Sequence, residues 1–243
     1  MAMGRDTDKR GQRYQRVQFV TSARELDQLP ADGGREVAFV GRSNAGKSSA
    51  LNAITRQSNL ARTSKTPGRT QLFNVFQVVP GRYLIDLPGY GYARVPESIK
   101  RHWYKTLPRY FTRRKSLCGL FLLMDSRHPL TEADWEFLQG HRQPKAPGLP
   151  IHVLLTKADK LGRGAAAKAL AGVRRELALV DPAISVQLFS SPQGLGLETA
   201  WGMLDRWLGL EAPGVDPAAP GDGCGRTPPP DAESPSGCTP GSS

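Results

Sequence analysis

Residues 41–48 of the chain are Gly41, Arg42, Ser43, Asn44, Ala45, Gly46, Lys47 and Ser48. An apolar run at residues 37–40 precedes them and predicts a buried strand, and residues 49–54 predict the first turns of a helix. A strand, a loop with the pattern G-x-x-x-x-G-K-S and a helix, in this order, are typical of a phosphate-binding P-loop. Glycines let backbone N–H groups approach phosphate oxygens, and the amino end of the helix adds partial positive charge. We therefore expect Lys47 to contact the β- and γ-phosphates of a nucleotide and the Ser48 hydroxyl to bind Mg²⁺.

Further apolar segments predict strands, and helical segments alternate with several of them. The strands are predicted at residues 17–20, 72–79, 83–85, 120–124, 151–155 and 184–189, and the helices at about 131–140, 164–179 and 196–209. The Pro80-Gly81 turn predicts an antiparallel hairpin between two of the strands. Alternation of buried strands with helices predicts an α/β fold with a mostly parallel sheet and helices on both faces. Ligands of such folds bind at the carboxyl ends of the strands.

A second phosphate motif follows the predicted strand at residues 83–85. It consists of Asp86, Leu87, Pro88 and Gly89, with the pattern D-x-x-G. An aspartate at this strand end can hold Mg²⁺ through water, and Gly89 can offer a backbone N–H to the γ-phosphate. Residues 62–70 form a basic loop with Gly and Pro, in which Thr70 is the best candidate for a second Mg²⁺ hydroxyl and Thr66 is the alternative.

A guanine-recognition motif follows the predicted strand at residues 151–155. It consists of Thr156, Lys157, Ala158 and Asp159. The Asp159 carboxylate can accept hydrogen bonds from the N1–H and 2-amino groups of guanine, whereas adenine offers neither donor and would leave the carboxylate unpaired. The aliphatic part of Lys157 can lie over the base, and the strand at 184–189 leads to Ser190 and Ser191, whose backbone can reach guanine O6. Asp159 therefore argues against an ATP-dependent kinase.

The charge distribution divides the chain. The net charge is +11 over 243 residues, and the Pro- and Gly-rich segment 212–243 is net acidic, so the basic character belongs to residues 1–211. We expect a polar N-terminal arm at 1–16, a nucleotide-binding domain at 17–211 and a disordered tail at 212–243. No apolar run has the length of a membrane span and residues 1–6 lack a signal-peptide core, so we expect a cytoplasmic protein.

Residues 94–115 concentrate positive charge. Their cations are Arg94, Lys100, Arg101, Lys105, Arg109, Arg113, Arg114 and Lys115, opposed only by Glu97 and interleaved with His102, Trp103, Tyr104, Tyr110 and Phe111. Cations that bind phosphates, together with rings that stack on bases, are typical of a surface that faces RNA. The alternative is an amphipathic helix whose Trp103, Leu107 and Phe111 pack inward, which explains the aromatic residues but not the excess of cations.

The motifs together resemble a known family, the EngB (YihA/YsxC) P-loop GTPases of bacteria. The resemblance covers residues 17–209 and also includes Thr66-Pro67-Gly68-Arg69-Thr70-Gln71, Tyr90-Gly91-Tyr92-Ala93, Asp125-Ser126-Arg127-His128 and Lys160-Leu161. It implies a Ras-like P-loop NTPase domain with a six-stranded, mixed, mostly parallel sheet. It also implies GTP or GDP and Mg²⁺ as ligands, a role in assembly of the large ribosomal subunit, and a requirement in normal cell division and septation.

The resemblance implies the residues of the nucleotide site. Beyond residues 41–48 they are Gly68, Arg69, Thr70, Gln71, Leu72, Asp86, Leu87, Pro88, Gly89, Thr156, Lys157, Ala158, Asp159, Phe189, Ser190 and Ser191. Ser48 and Thr70 would hold Mg²⁺. The tail beyond residue 211 departs from the usual length of the family, so the resemblance implies nothing for it.

The residue after the D-x-x-G motif bears on hydrolysis. Ras-type sites use a glutamine to orient the attacking water, and the residue following Gly89 is Tyr90. We therefore expect slow intrinsic hydrolysis that depends on Lys47, Thr70 and Asn44. Either a partner, the pre-ribosomal particle, completes the site, or Asn44 instead helps to hold K⁺ beside the phosphates in place of an arginine finger. The expected partner is ribosomal RNA or a large-subunit particle, and the protein is expected to be monomeric. A regulatory GTP-binding protein of the division machinery, in which hydrolysis and RNA binding are incidental, remains the alternative.

Overall fold

The computed structural model describes residues 2–61, 72–91, 97–141 and 148–210. Within these ranges, seven strands and six α-helices are found. The strands are β1 (Gln18–Ala23), β2 (Arg35–Gly41), β3 (Phe73–Val79), β4 (Arg82–Asp86), β5 (Leu117–Asp125), β6 (Ile151–Thr156) and β7 (Ser185–Leu188). The helices are α1 (Ala2–Gln15), α2 (Lys47–Ile54), α3 (Glu97–Arg113), α4 (Glu132–His141), α5 (Arg163–Val180) and α6 (Leu197–Leu208).

The strands form one mixed sheet with the order β1-β3-β4-β2-β5-β6-β7. β1 and β4 each pair with β3 in the antiparallel direction, and the other pairs are parallel. The Ras-like α/β fold and the β3–β4 hairpin are thus confirmed. The number of strands is seven rather than the six implied by the resemblance, because β1 adds to the outer edge of β3.

Successive residues of the central strands point into two separate cores. Phe39 of β2 belongs to the core under α1, α2 and α6, whereas Ala38 and Val40 belong to the core under α3, α4 and α5. This alternation is the period of two that a strand buried on both faces must have. Gly119 of β5 lets α6 approach closely, since a Cβ at this position would lie 2.3 Å from the Trp207 ring.

The structure has a helix where the sequence predicted a polar N-terminal arm. The end of α1 packs on α6, because Tyr14 is fully buried and its ring lies parallel to that of Trp201 at 6.5 Å. The Tyr14 hydroxyl donates a 2.8 Å hydrogen bond to Asp205, and Arg10 and Arg13 form ion pairs with the same buried carboxylate. Burial raises the pKa of Tyr14, and the neighbouring Asp205 raises it further.

The predicted disordered tail at 212–243 lies outside the described residues. Among the residues that are described, none of the helices combines the length and apolar character needed to cross a membrane.

Candidate nucleotide-binding site

The P-loop joins β2 to α2 at the carboxyl edge of the sheet, as predicted. Two of its glycines are required by their surroundings. A Cβ at Gly41 would lie 2.6 Å from the carbonyl oxygen of Leu123, so only glycine lets β2 end this close to β5. Gly46 has a φ of 87° and precedes the first residue of α2, in a left-handed conformation that favours glycine. The loop thus leads directly into a helix amino terminus, the arrangement that binds phosphate.

Lys47 and Asp86 lie in direct contact. The Lys47 amino group forms an ion pair with Oδ1 of Asp86, and the Asn74 side-chain amide lies 3.4 Å from Oδ2. Asp86 is buried, so its negative charge requires a partner. The sequence predicted that both residues serve the phosphates and their metal, and the structure brings both to one point at the carboxyl edge.

Oxygen donors for Mg²⁺ are present at this point. Ser48 follows Lys47 in the first turn of α2, and a buried carboxylate and a serine hydroxyl are the oxygen ligands that Mg²⁺ takes beside phosphates and water. These residues fit the ion that the family implies. Thr70, the second predicted metal ligand, lies outside the described residues, as do Thr66, Gly68, Arg69 and Gln71; Leu72 lies just before β3 and is partly buried.

The guanine motif is tied to the P-loop by two side chains. The Thr156 hydroxyl lies 2.5 Å from the carbonyl oxygen of Ala45, and Lys157 donates through Nζ to the carbonyl oxygen of Asn44 at 2.7 Å. Lys157 has a φ of 56°, a left-handed conformation that is uncommon for a residue with a side chain. The strained backbone and both contacts hold the end of β6 against the phosphate loop.

Asp125 is a site residue for which the sequence supplied no role. Its carboxylate accepts from Lys157 Nζ at 2.9 Å and from two nitrogens of Arg127 at 2.7 and 2.9 Å. Partial burial acts to raise the pKa of Asp125, but the hydrogen bonds from Arg127 and Lys157 outweigh it and hold the pKa well below its ordinary value. Asp125 is therefore an ionised carboxylate, and it fixes the position of the Lys157 amino group. The position of Asp125 at the end of β5, between the ends of β2 and β6, could have indicated that it belongs to the site.

Asp159 and Ser190 meet across the ends of β6 and β7. The Ser190 hydroxyl donates to Asp159 Oδ1 at 2.8 Å, and this hydrogen bond lowers the pKa of Asp159. The backbone N–H of Ala158 donates to the carbonyl oxygen of Phe189 at 3.2 Å. The sequence predicted a backbone role for Ser190, and the structure adds a side-chain role, which is to orient the carboxylate.

A cleft of about 560 Å³ lies between α2 and these loops. Lys157, Asp159 and Ser191, three of the residues predicted to contact the nucleotide, line one side. The other side consists of α2 and the turn after it, which the sequence reasoning did not include; its residues are Ser49, Asn52, Ala53, Arg56, Gln57 and Ser58. Positions 49, 53 and 56 follow the spacing of one helix face, so the predicted helix after the P-loop would have allowed these residues to be placed on one side of the cleft.

Tyr90 is directed away from this cleft. Its hydroxyl donates to Asp134 of α4 at 2.6 Å, and its ring stacks on Phe137 at 5.0 Å. Burial and the adjacent Asp134 raise the pKa of Tyr90 well above its ordinary value. The backbone of Tyr90 pairs with the P-loop, because the Ser43 N–H donates to its carbonyl oxygen at 3.1 Å. Between Asp86 and Tyr90, Leu87 and Pro88 are buried and Gly89 is partly exposed.

Comparison with known proteins agrees with this geometry. A family model described as a 50S ribosome-binding GTPase matches residues 36–157, about half of the chain. A protein named "Probable GTP-binding protein EngB" from Nitrosococcus oceani is 52% identical over 81% of this chain and 97% of its own length. A protein of the same name from Xanthomonas axonopodis is 50% identical over 86% of this chain and 95% of its own length.

The chain belongs to the EngB family of GTP-binding proteins. The resemblance inferred from the motifs is therefore confirmed, and the chain is a P-loop GTPase by family. A crystal structure of a probable EngB protein covers 71% of this chain and 98% of its own, with a TM-score of 0.55 at 19% identity. A bacterial selenocysteine-specific elongation factor covers 74% of this chain, with a TM-score of 0.51 at 18% identity. At these identities the likeness supports the fold alone.

Proposed function

We propose that this EngB-family protein is a GTP-dependent switch in the assembly of the large ribosomal subunit. The observation that carries the proposal is a row of cations on α3, which we call the α3 stripe: Arg101, Lys105, Arg109 and Arg113. They recur every four residues and all four are exposed, and among the side chains that the structure describes, Lys105, Arg109 and Arg113 have no acidic partner. Residues four apart lie on one face of a helix, so the stripe is a continuous basic surface.

The aromatic residues of α3 divide between the core and this surface. Tyr110 and Phe111 are buried and Trp103 lies against Phe73, which agrees with the amphipathic alternative. Tyr104 is 75% exposed and is adjacent to Lys105. A ring beside a row of cations suits RNA, which offers phosphates and the faces of unpaired bases. The name of the family model, a 50S ribosome-binding GTPase, indicates which RNA particle to test.

The nucleotide would lie across the cleft. Asp159, oriented by Ser190, would accept from guanine N1–H and the 2-amino group, and Lys157, held by Asp125, would lie along the base. Residues 41–48 would surround the phosphates, with Lys47 exchanging Asp86 for a phosphate oxygen. Ser48 and Thr70 would hold Mg²⁺, with Asp86 acting through water. The bound ion would neutralise charge that develops on the phosphates.

Slow intrinsic hydrolysis is part of this proposal. The hydroxyl of Tyr90 is bound by Asp134, on the side of the loop away from the cleft, and it cannot do the task of a water-orienting glutamine. The ribosomal particle would then complete the site, and K⁺ near Asn44 could supply further positive charge. Turnover by the free protein in sodium buffer that is as fast as turnover with particles in potassium buffer would contradict this part.

The roles in division and septation, the cytoplasmic location and the monomeric state are further proposals. They depend on family resemblance, on the composition of the chain and on the ribosomal role. If the protein acts on the division machinery directly, with RNA binding incidental, its binding to large-subunit particles should not depend on nucleotide.

The decisive experiment is co-sedimentation with purified large-subunit particles, with GDP or a non-hydrolysable GTP analogue. We expect more protein in the particle fraction with the GTP analogue, and binding that decreases with salt. The double variant Arg101→Gln/Arg109→Gln should lose most of this binding. The matched control is Arg163→Gln/Lys168→Gln, which removes two exposed cations from α5. Equal binding by both variants, or no difference between nucleotides, would refute the switch.

A further inference from the structure

A second basic surface lies on the opposite face of the sheet from the α3 stripe. The last turns of α1 and the end of β3 enclose a groove of about 270 Å³, which we call the α1 groove. Its floor consists of the aliphatic side chains of Val78 and Val79, and its walls include Lys9, Arg13 and Arg16. Lys9 and Arg13 lie four residues apart on one face of α1, and Arg16 follows directly after the helix.

The charge of this groove is only partly compensated. Arg13 lies 2.7 Å from Asp205, so its charge is shared with the contact between α1 and α6. Lys9 and Arg16 are both exposed, and neither is paired with any acidic side chain that the structure describes, which from the start of the chain means residue 9 onward. Two cations beside an aliphatic floor attract an anion that also has apolar parts.

An exposed aromatic ring lies on the same face as the groove. Phe19 of β1 is 55% exposed, and it lies opposite Phe76 of β3 in the strand register, with ring centroids 6.0 Å apart. Directly opposed residues point to the same face of a sheet, and Phe76 shares one core with Val78 and Val79, so Phe19 and the groove floor lie on that face. The exposed part of the ring is therefore accessible to a ligand at the edge of the sheet.

We propose that the α1 groove and Phe19 bind a single-stranded segment of RNA. Lys9 and Arg16 contact successive phosphates, and an unpaired base stacks on the exposed face of Phe19. The combination selects this ligand, because the bases of a duplex are enclosed in the stack and an acidic peptide has no base to stack. The inference rests on the proposed function only in taking RNA as the partner class, since its residues lie on the side of the sheet that α1 and α6 cover and not on the side of α3.

The test is fluorescence anisotropy of the full chain with a labelled ten-nucleotide oligouridine at several salt concentrations. In the Lys9→Gln/Arg16→Gln variant, the slope of log affinity against log salt should become less steep by about 1.4, or about 0.7 for each lost phosphate contact. In Phe19→Ser the affinity should fall about 5- to 150-fold with the slope unchanged, because stacking is not electrostatic. The Arg163→Gln/Lys168→Gln variant should bind like the wild type.

Three outcomes would overturn the proposal: unchanged affinity in both groove variants, equal binding of a ten-base-pair duplex RNA, or full competition by an oligoglutamate of the same charge. Binding of GDP serves as the folding control, since Lys9, Arg16 and Phe19 do not line the nucleotide cleft. The α3 variant Arg101→Gln/Arg109→Gln separates the two proposals. If it alone loses particle binding while the groove variants keep oligouridine affinity, the switch stands and the α1 groove fails; the opposite pattern rejects the α3 stripe.

Discussion

The candidate nucleotide site has a guanine half, at the ends of β6 and β7, and a phosphate half, at the P-loop and the end of β4. The two halves differ in what their charged side chains contact. In the guanine half, Asp159 is held by Ser190 and Lys157 is held by Asp125, a residue outside the cleft lining. In the phosphate half, Lys47 is paired with Asp86, so two groups that we propose to serve the phosphates contact each other. The guanine half is thus preorganised to accept a base, whereas phosphate must replace Asp86 as the partner of Lys47.

This difference has an energetic consequence. A base that enters the guanine half gains hydrogen bonds without breaking the contacts that orient Asp159 and Lys157. A γ-phosphate gains the Lys47 contact only when the buried Asp86 gains another cation, which Mg²⁺ would supply. Base selectivity should therefore depend on single side chains, and phosphate binding should depend on the exchange of partners between Lys47 and Asp86.

The largest effect is expected from Asp159→Asn. The amide offers only one acceptor where guanine presents two donors, so affinity for GDP should fall about 10²- to 10⁴-fold. Xanthine nucleotides, which carry an oxygen in place of the 2-amino group, should bind the variant better than guanine nucleotides. Titration calorimetry with both nucleotides measures the change. Ser190→Ala, which keeps the carboxylate but removes its 2.8 Å partner, should cost about tenfold and is the matched control.

An intermediate effect is expected from Asp125→Asn. Loss of the charge that holds Lys157 should weaken GDP binding about tenfold. Arg127 is more exposed than Lys157, and it is Lys157 that also contacts the P-loop carbonyl of Asn44, so Arg127→Gln should weaken binding less. A larger effect of Arg127→Gln than of Asp125→Asn would show that the guanine half is not organised through Asp125.

Asp125→Asn should also change how the stability of the protein depends on acid pH. Partial burial opposes ionisation of Asp125, but its hydrogen bonds from Arg127 and Lys157 hold the folded-state pKa below the ordinary value. A depressed pKa stabilises the folded state at pH above about 4 and loses that contribution as pH falls toward the folded-state pKa. Between about pH 5 and pH 2, the wild type should therefore lose more of its free energy of unfolding than Asp125→Asn. Urea unfolding across this range tests it, and parallel curves would contradict it.

The smallest effect on nucleotide affinity is expected from Tyr90→Phe. The variant removes the 2.6 Å hydrogen bond to Asp134, but the Thr131 N–H and hydroxyl still contact the other oxygen of that carboxylate at 2.8 Å. The free energy of unfolding should fall by about 1 kcal/mol, while GDP affinity stays within about twofold. Chemical denaturation and nucleotide titration of one preparation compare the two quantities. A loss of GDP affinity near that of Asp125→Asn would place Tyr90 in the binding site itself.

Much of the fold was accessible from local patterns. The apolar runs at 37–40, 120–124 and 151–155 lie within β2, β5 and β6, because strands buried on both faces need continuous apolar sequence. The helix at 163–180 was predicted to within one residue at each end. By contrast, α1 was missed because its packing depends on Tyr14 and on ion pairs with Asp205, about 190 residues later in the chain.

The sequence by itself determined the order of the motifs, the P-loop and the family, and it predicted the guanine-recognition residues, because each of these depends on residues close together in the chain. Only the tertiary structure decided which charges meet: Lys47 with Asp86, Lys157 with Asp125, and Tyr90 with Asp134. These pairs join residues 32 to 44 positions apart, and they depend on which strands are neighbours in the sheet. Pairing of strands is set by the whole core, and no local spacing encodes it.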